Sequence, residues 1–390
     1  MDNFLYETPT KVYFGKEQHK EVGRIIKAYG AKKVLIHYGG KSAMQSGLLN
    51  CVKECLAAEN IAYICLGGVV PNPELSLVRE GIALCLAENV DFILAVGGGS
   101  VLDSAKGIAN GAANPTMDVW DFSIRKAEPQ KTIPKGCILT LAAAGSEMSA
   151  SCVITNTETG MKCGYNSICN RMNFAILNPE LTYTVSPYQT ACGIVDIAMH
   201  TMERYFSVGT DTYLTDSIAE AVIKSVYKSG QDCLKAPTNY AARANMMWAS
   251  SLAHNGLTEC GRNVVMAVHQ LEHEVSAMYP AVAHGAGLAA LWGSWARFAY
   301  PANKPRFVQY AKNIWGIDNA SEDAAIQEAI AKQEKLYQSI GMPISLRELG
   351  VKPEDLETLA NKCSRDKTRV LTGYCKIGYA EMLDIYKRAY

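Results

Sequence analysis

Short apolar runs alternate with longer amphipathic stretches through the first half of the chain. Lys33–Tyr38 (KVLIHY) is a run of strand formers closed by Gly39-Gly40, and a helical stretch follows over 45–58. A second run, 61–66, ends in Gly67-Gly68. Residues 74–89 then place Leu75, Leu77, Val78, Ile82, Leu84 and Leu86 on a helical face, and 91–96 is a third run. Residues 136–141 and Phe174–Leu177 predict further strands. Continuous apolar strands separated by helices of this length specify βαβ units and a parallel sheet covered on both faces. After Thr184-Val-Ser-Pro187 the strand pattern fades. Residues 215–234 put Ile218, Ala221, Val222, Val226 and Tyr227 at helical spacing. Ser321-Glu-Asp precedes a helix carrying Ile326, Ile330 and Ile340, stopped by Gly341 with Pro343 beyond. The pattern predicts an α/β domain over 1–187 and an all-helical domain over 188–390.

Composition agrees with that division. At 390 residues the chain exceeds what one hydrophobic core organises. Its 48% apolar and 19% charged residues are globular values. Lys plus Arg and Asp plus Glu each number 38, and no dense basic run occurs, so a nucleic-acid or anionic-membrane partner is not expected. The opening MDNFLYETPTKVYFG lacks a basic n-region and an apolar h-region, and no apolar stretch approaches the roughly 20 residues that span a bilayer. Thirteen scattered cysteines without a CxxC pair read as buried thiols in a reducing compartment. The expectation is a cytoplasmic protein.

Two groups of residues carry chemistry. The third run leads straight into Gly97-Gly98-Gly99-Ser100, with a helix expected from there through Asp103 and Lys106. Glycines let the backbone approach a ligand closely, and the amides and dipole at a helix start attract an anion. At the carboxyl end of a buried strand, such a loop suits a pyrophosphate. It is neither GxGxxG nor a P-loop, and an ordinary strand-to-helix turn is the alternative. The first strand's end, Tyr38-Gly39-Gly40-Lys41-Ser42, has no acid to hold a ribose 2′-hydroxyl, which favours NADP over NAD.

The second group lies in the helical half. Asp196 and His200 are four apart, as are His269 and His273, and His284 follows after a short loop. An i,i+4 pair shares one helix face. One carboxylate and three imidazoles supply four ligands for a borderline divalent ion, Fe²⁺ or Zn²⁺. Those four would leave the ion net positive and able to polarise a carbonyl oxygen. A zinc protease is excluded, because HExxH needs Glu after the first His and position 270 is Gln.

With these motifs the chain resembles the iron-containing (group III) alcohol dehydrogenases, and within them the NADPH-dependent butanol dehydrogenase/aldehyde reductase branch. The resemblance runs from Thr8-Pro-Thr-Lys-Val-Tyr-Phe-Gly15 to the last helices, through Tyr38-Gly-Gly40, Pro71-Asn-Pro73, Ala95-Val-Gly-Gly-Gly-Ser-Val-Leu-Asp103, Ala144-Gly-Ser-Glu147 and Asn178-Pro179. It implies a dinucleotide-binding N-terminal domain, an all-α C-terminal domain of dehydroquinate synthase-like architecture, and a cleft holding cofactor and metal. The metal ligands it implies are Asp196, His200, His269 and His284. Cofactor contacts fall on Gly39, Gly40 and Ser42 at the adenosine end with Asn72 close by. Gly98, Gly99, Ser100 and Asp103 then hold the pyrophosphate, and Thr140, Ser146 and Lys162 the remainder. His273 falls in the catalytic cleft as a proton relay or substrate contact, with a structural histidine as the alternative. Two departures stand out: His269 to His284 is one residue longer than the family signature, through the Met278-Tyr-Pro-Ala-Val282 loop, and Ala144 stands where relatives carry Thr.

The resemblance therefore implies reversible hydride transfer between NADP(H) and a primary alcohol/aldehyde pair, aided by one divalent metal, in a homodimer. NAD remains an alternative cofactor, and a polyol or a small polar or sulfonated aldehyde an alternative substrate. Glycerol dehydrogenases and dehydroquinate synthases share the two-domain plan. The synthase would want an acid at the first strand's end, and none is there. A nucleotide sensor without catalysis would account for the glycine loop and leave the Asp/His group unexplained.

Overall fold

The computed structural model describes the backbone of residues 1–390 and every side chain except those of Lys41 and Ser42. The reading of Ser42 as a cofactor contact therefore lies outside the described residues. The chain forms two compact units, Glu7–Val185 with Thr238–Asn255, and Met1–Tyr6 with Ser186–Pro237 and Gly256–Tyr390. A linear division at residue 187 leaves residues 1–6 and 238–255 across the line from the unit they pack in.

The α/β unit runs β1 (Lys11–Phe14), α1 (Val22–Ala28), β2 (Lys33–Tyr38), α2 (Lys41–Gln45), α3 (Leu48–Ala58), β3 (Ala62–Leu66), α4 (Leu75–Ala87), β4 (Phe92–Gly97) and α5 (Gly99–Ala113). Then follow α6 (Val119–Ser123), β5 (Lys135–Leu139), the hairpin β6 (Ser151–Asn156) and β7 (Met161–Asn166), and β8 (Phe174–Leu177). Six strands form one parallel sheet in the order β1-β8-β5-β4-β2-β3. Alternate residues feed two cores. Val34, Ile36, Phe92, Leu94, Val96, Phe174 and Ile176 pack with residues of α1 and α3. Leu35, Ile93, Ala95, Cys137, Ala175 and Leu177 pack with residues of α4 and α5. Both faces are dry, so the strands read as continuous apolar runs.

The sequence does not announce β1 or the β6–β7 hairpin. β1 is a short edge strand with a half-buried pattern, and the hairpin is too polar to show a clean apolar face.

The second unit contains α7 (Pro187–Tyr205) and α8 (Tyr213–Lys235). The next helix, α9 (Tyr240–His254), belongs instead to the α/β unit. Gly145, at φ +66°, lets the Ser250 carbonyl come within 2.4 Å of where a Cβ would stand. Ser251 Oγ donates to Glu147 Oε1 at 2.7 Å, fixing α9 there. Such contacts leave no trace in periodicity.

The remaining elements are α10 (Ala267–Met278), α11 (His284–Ala299), α12 (Lys304–Trp315), α13 (Glu322–Ser339), α14 (Leu356–Cys363), β9 (Leu371–Thr372), β10 (Lys376–Ile377) and α15 (Tyr379–Ala389). Ser186 accepts from Gln189 N with Pro187 at the first helical position, which starts α7, and Ser321 caps α13. The β9–β10 ribbon corrects the all-helical expectation to a mostly helical one; two-residue strands are too short to leave a periodic signal. No helix among the described residues is long and apolar enough to cross a membrane.

Candidate metal centre and dinucleotide cradle

Helix α7 is buried on nearly every side from Thr190 to Tyr205, so its polar residues must find partners inside the protein. Asp196 and His200, one turn apart, face His269 of α10. One ligand atom from each of the three lies within 4.8 Å of the others. His284, the first residue of α11, brings its Nε2 to 3.8 Å from Asp196 Oδ1, and His269 Nε2 is 3.7 Å from the same oxygen. The His200 and His269 rings stand 4.3 Å apart, and those of His269 and His284 5.2 Å. Residues separated by up to 88 positions thus converge on one carboxylate oxygen, and the loop from Tyr279 to Ala283 delivers His284 to it.

Two glycines make that delivery possible. A Cβ on Gly285 would stand 2.3 Å from the Cys192 carbonyl oxygen of α7, and one on Gly287 would meet Glu272 Oε1 at 2.8 Å. Only glycine lets α11 start so close to α7 while leaving room for the Glu272 carboxylate.

The imidazoles are oriented from behind. His200 Nδ1 donates to the Asp196 carbonyl oxygen at 2.9 Å. His269 Nδ1 donates to Glu203 Oε2, and His284 Nδ1 to Glu272 Oε2. With Nδ1–H committed, the rings of His269 and His284, when neutral, present their Nε2 lone pairs toward the centre. His269 Nε2 and Asp196 Oδ1 are buried and make no hydrogen bond of good geometry, although His200 Nδ1 lies 3.0 Å from that oxygen. A buried carboxylate oxygen without a well-placed donor is costly, and a cation at that focus would satisfy it.

Electrostatics agree with the geometry. Burial opposes the charge on Asp196, but His200, His269 and His284 outweigh it and hold the carboxyl well below its usual range. Burial and the neighbouring His269 push His200 down to about 4. Burial also opposes a cation on His269, yet Glu203 and Asp196 raise it to about 9. The cluster therefore retains one positive charge as a proton, and a divalent ion would replace that proton with stronger bonds. The donor set fits Fe²⁺ or Zn²⁺.

His273, half-buried on α10, has its ring 5.6 Å from that of His284. It forms a second close set with Glu272 and His284. Sequence reasoning missed Glu203 and Glu272. The available signal was their position three residues after His200 and His269, on the same helix faces.

The α/β unit holds the glycine group. The sheet order reverses at β2, which has β3 on one side and β4 on the other, so the ends of β2 and β4 flank a topological switch point. Tyr38 pairs with Val96, placing Gly39 beside Gly97. Gly98 is the N-cap of α5 and brings no side chain to its first-turn amides, those of Gly99 and Ser100 among them. A Cβ on Gly98 would press on Leu141 at 3.2 Å and one on Gly99 on Ala144 at 3.1 Å. Gly40 faces open space, and Asn72 sits at φ +59° in the turn after β3. Thr140 N donates to Gly97 O at 3.0 Å.

Asp103 and Ser146 are tied into the wall of this cradle. Ser146 Oγ donates to Asp103 Oδ1 at 2.5 Å, and Val153 N to Asp103 Oδ2 at 3.0 Å. The fully buried Lys106 ammonium donates to Ser146 Oγ and Ser151 O, both at 2.7 Å. Their observed partners are thus protein groups, with Lys106 at the hub. Lys162 lies on β7, buried and paired in register with Thr155.

Comparison with known proteins places this geometry. Residues 9–179 match the family model described as iron-containing alcohol dehydrogenase, and 190–390 match the C-terminal model of the Fe-containing alcohol dehydrogenase family. The chain is 40% identical over 392 residues to NADH-dependent butanol dehydrogenase A of Clostridium acetobutylicum, covering 100% of both. It is 36% identical to the NADPH-dependent aldehyde reductase YqhD of Escherichia coli, covering 93% of each. The crystal structure of NADH-dependent butanol dehydrogenase A from Thermotoga maritima superposes with a TM-score of 0.96 at 34% identity, covering 100% of this chain and 99% of that one. The chain belongs to the iron-containing alcohol dehydrogenase family and is a metal-dependent, NAD(P)-dependent oxidoreductase of alcohols and aldehydes.

Proposed function

We propose that the enzyme interconverts a primary alcohol and its aldehyde with NADP(H), using one Fe²⁺ or Zn²⁺ held by Asp196, His200, His269 and His284. The observation that carries this reading is the convergence of three imidazoles on a buried carboxylate oxygen that accepts no good hydrogen bond. When bound, the ion would supply Lewis acidity at the carbonyl oxygen and the nicotinamide would supply the hydride. The protein's own residues do the rest. Gly39, Gly40 and Asn72 line the adenosine end of the cofactor, with Ser42 assigned there by resemblance alone. Gly98, Gly99 and Ser100 offer main-chain amides to the pyrophosphate. Asp103 and Ser146, braced by Lys106, hold the wall of the cradle in shape, with Thr140 and Lys162 nearer the nicotinamide. His273, half-buried, passes the proton that completes the alcohol.

The end of β2, Tyr38 to Ser42, carries no acid, which supports NADP over NAD. NADH is the competing reading, because the relative sharing 40% identity is an NADH-dependent enzyme by name. A homodimer and a cytoplasmic setting complete the proposal. The test is butyraldehyde-dependent oxidation of NADPH and of NADH, before and after chelation and after return of Fe²⁺ or Zn²⁺. Activity lost on chelation, restored by one ion and higher with NADPH is the expected result. Activity indifferent to chelation would remove the metal assignment, and a preference for NADH would remove the NADP one.

A further inference from the structure

The four-ligand description leaves out two carboxylates. Glu203 and Glu272 are fully buried, and neither lies among the residues assigned to the ion. Each accepts the Nδ1–H of one histidine, Glu203 from His269 and Glu272 from His284. A buried carboxylate is costly unless it is paired, and these two are placed where they fix a ring's tautomer and orientation.

Their settings differ in one respect. Helix α10 begins at Ala267, and its N-cap, Met266, makes no side-chain cap. Glu203 supplies that cap from α7: its Oε1 accepts from Val268 N at 2.6 Å and its Oε2 from His269 N at 3.1 Å. One carboxylate therefore closes the open end of the helix carrying His269 and orients the His269 ring. Glu272 bonds the His284 ring from within α10 itself, with its stem packed where Gly287 leaves space.

We infer that Glu203 and Glu272 are positioning residues that set how tightly, and in what geometry, the divalent ion is held, and that Glu203, through its cap on α10, also couples that affinity to folding. The inference rests on the metal-centre reading. Three buried carboxylates, not one, stand at or directly behind the candidate ligands. That favours tight retention of a dication.

The experiment uses the full chain stripped of metal, titrated with Co²⁺ and followed by visible absorption, with Zn²⁺ affinity from competition with a chromophoric chelator. Melting temperatures of the metal-free proteins are recorded in parallel. E272Q is expected to weaken Zn²⁺ binding by about 10–100-fold and to alter the Co²⁺ spectrum, independently of its metal-free melting temperature. E203Q is expected to weaken binding similarly and also to lower that temperature by about 2–4 °C. If E203Q does not fold, E272Q decides. Parental affinity and a parental Co²⁺ spectrum in E272Q would overturn the inference, and so would a loss of stability without a loss of affinity. Failure of the parent itself to take up either ion would overturn the metal reading too, and is distinguishable because no variant is needed to see it.

Discussion

The glycine cradle and the metal centre solve opposite problems. The cradle is built from main chain supplied by consecutive residues: β4 ends, Gly98 turns, and the first amides of α5 are already in place. The NADP preference proposed for it rests on what is absent, a side chain at Gly40 and an acid after β2. The candidate metal centre is built from side chains on three helices, and its proposed chemistry lies in what converges, with each ring held from behind. A site made of backbone tolerates substitution wherever the backbone stays put. A site made of converging side chains is only as good as the packing that aims them.

The sharpest way to break the comparison is to remove one converging atom. Asp196→Asn keeps the shape of the side chain and removes its charge. Turnover is expected to fall by at least about a thousandfold, the loss of several kcal/mol of charge stabilisation, with circular dichroism unchanged and bound metal lost. Retained turnover in metal-free protein would show that the centre is structural.

Next is the cradle's open position. A Cβ at Gly40 meets nothing within 4 Å, so Gly40→Asp can be accommodated. A carboxylate there should repel a 2′-phosphate and accept a 2′-hydroxyl. The ratio of kcat/KM for NADPH over NADH should fall by roughly a hundredfold. An unmoved ratio would mean that the adenosine end lies elsewhere.

Packing beneath the metal centre gives a third contrast. Gly285→Ala drives a methyl to 2.3 Å from a main-chain oxygen that cannot rotate away. It should cost about 1–3 kcal/mol and lower metal occupancy, read by denaturant melts and metal analysis. Gly99→Ala meets only the Ala144 methyl, at 3.1 Å, and should raise cofactor KM with little change in stability.

The smallest effect concerns pH and the strand leading to the cradle. His37 of β2 is fully buried, Nδ1 donating to Leu66 O at 2.9 Å and Nε2 accepting from Ser104 Oγ at 2.8 Å. Burial lowers its pKa from 6.5 to about 4. The unfolded chain takes up a proton that the folded one refuses, so this contribution is present in full above pH 6.5. It is lost as pH falls toward 4. Between pH 6.5 and 5 the loss amounts to about 1.5 kcal/mol. Replacing His37 with Gln should flatten that part of the stability–pH curve; an equally steep curve would assign the effect to other groups.

Much of this was legible in the chain itself. Lys33–Tyr38 and Phe174–Leu177 are strands with the bounds the apolar runs imply, because both faces of the sheet are dry. Gly97 to Ser100 and the Asp/His spacing stand out as residue types in the sequence, and the structure puts Gly98 at the start of α5 and brings Asp196, His200, His269 and His284 together. The i,i+4 interval fixed which side chains share a helix face, and 390 residues required more than one core.

Tertiary structure decided the rest. No local signal could tell that Glu203 caps a helix beginning 64 residues later, that α9 packs in the unit preceding it in sequence, or that Lys106 is the buried hub behind Asp103 and Ser146. Periodicity reports whether a face is buried, not what it is buried against. Partners of buried charges are chosen by the three-dimensional packing of distant helices, and only there does Asp196 Oδ1 acquire its three imidazoles.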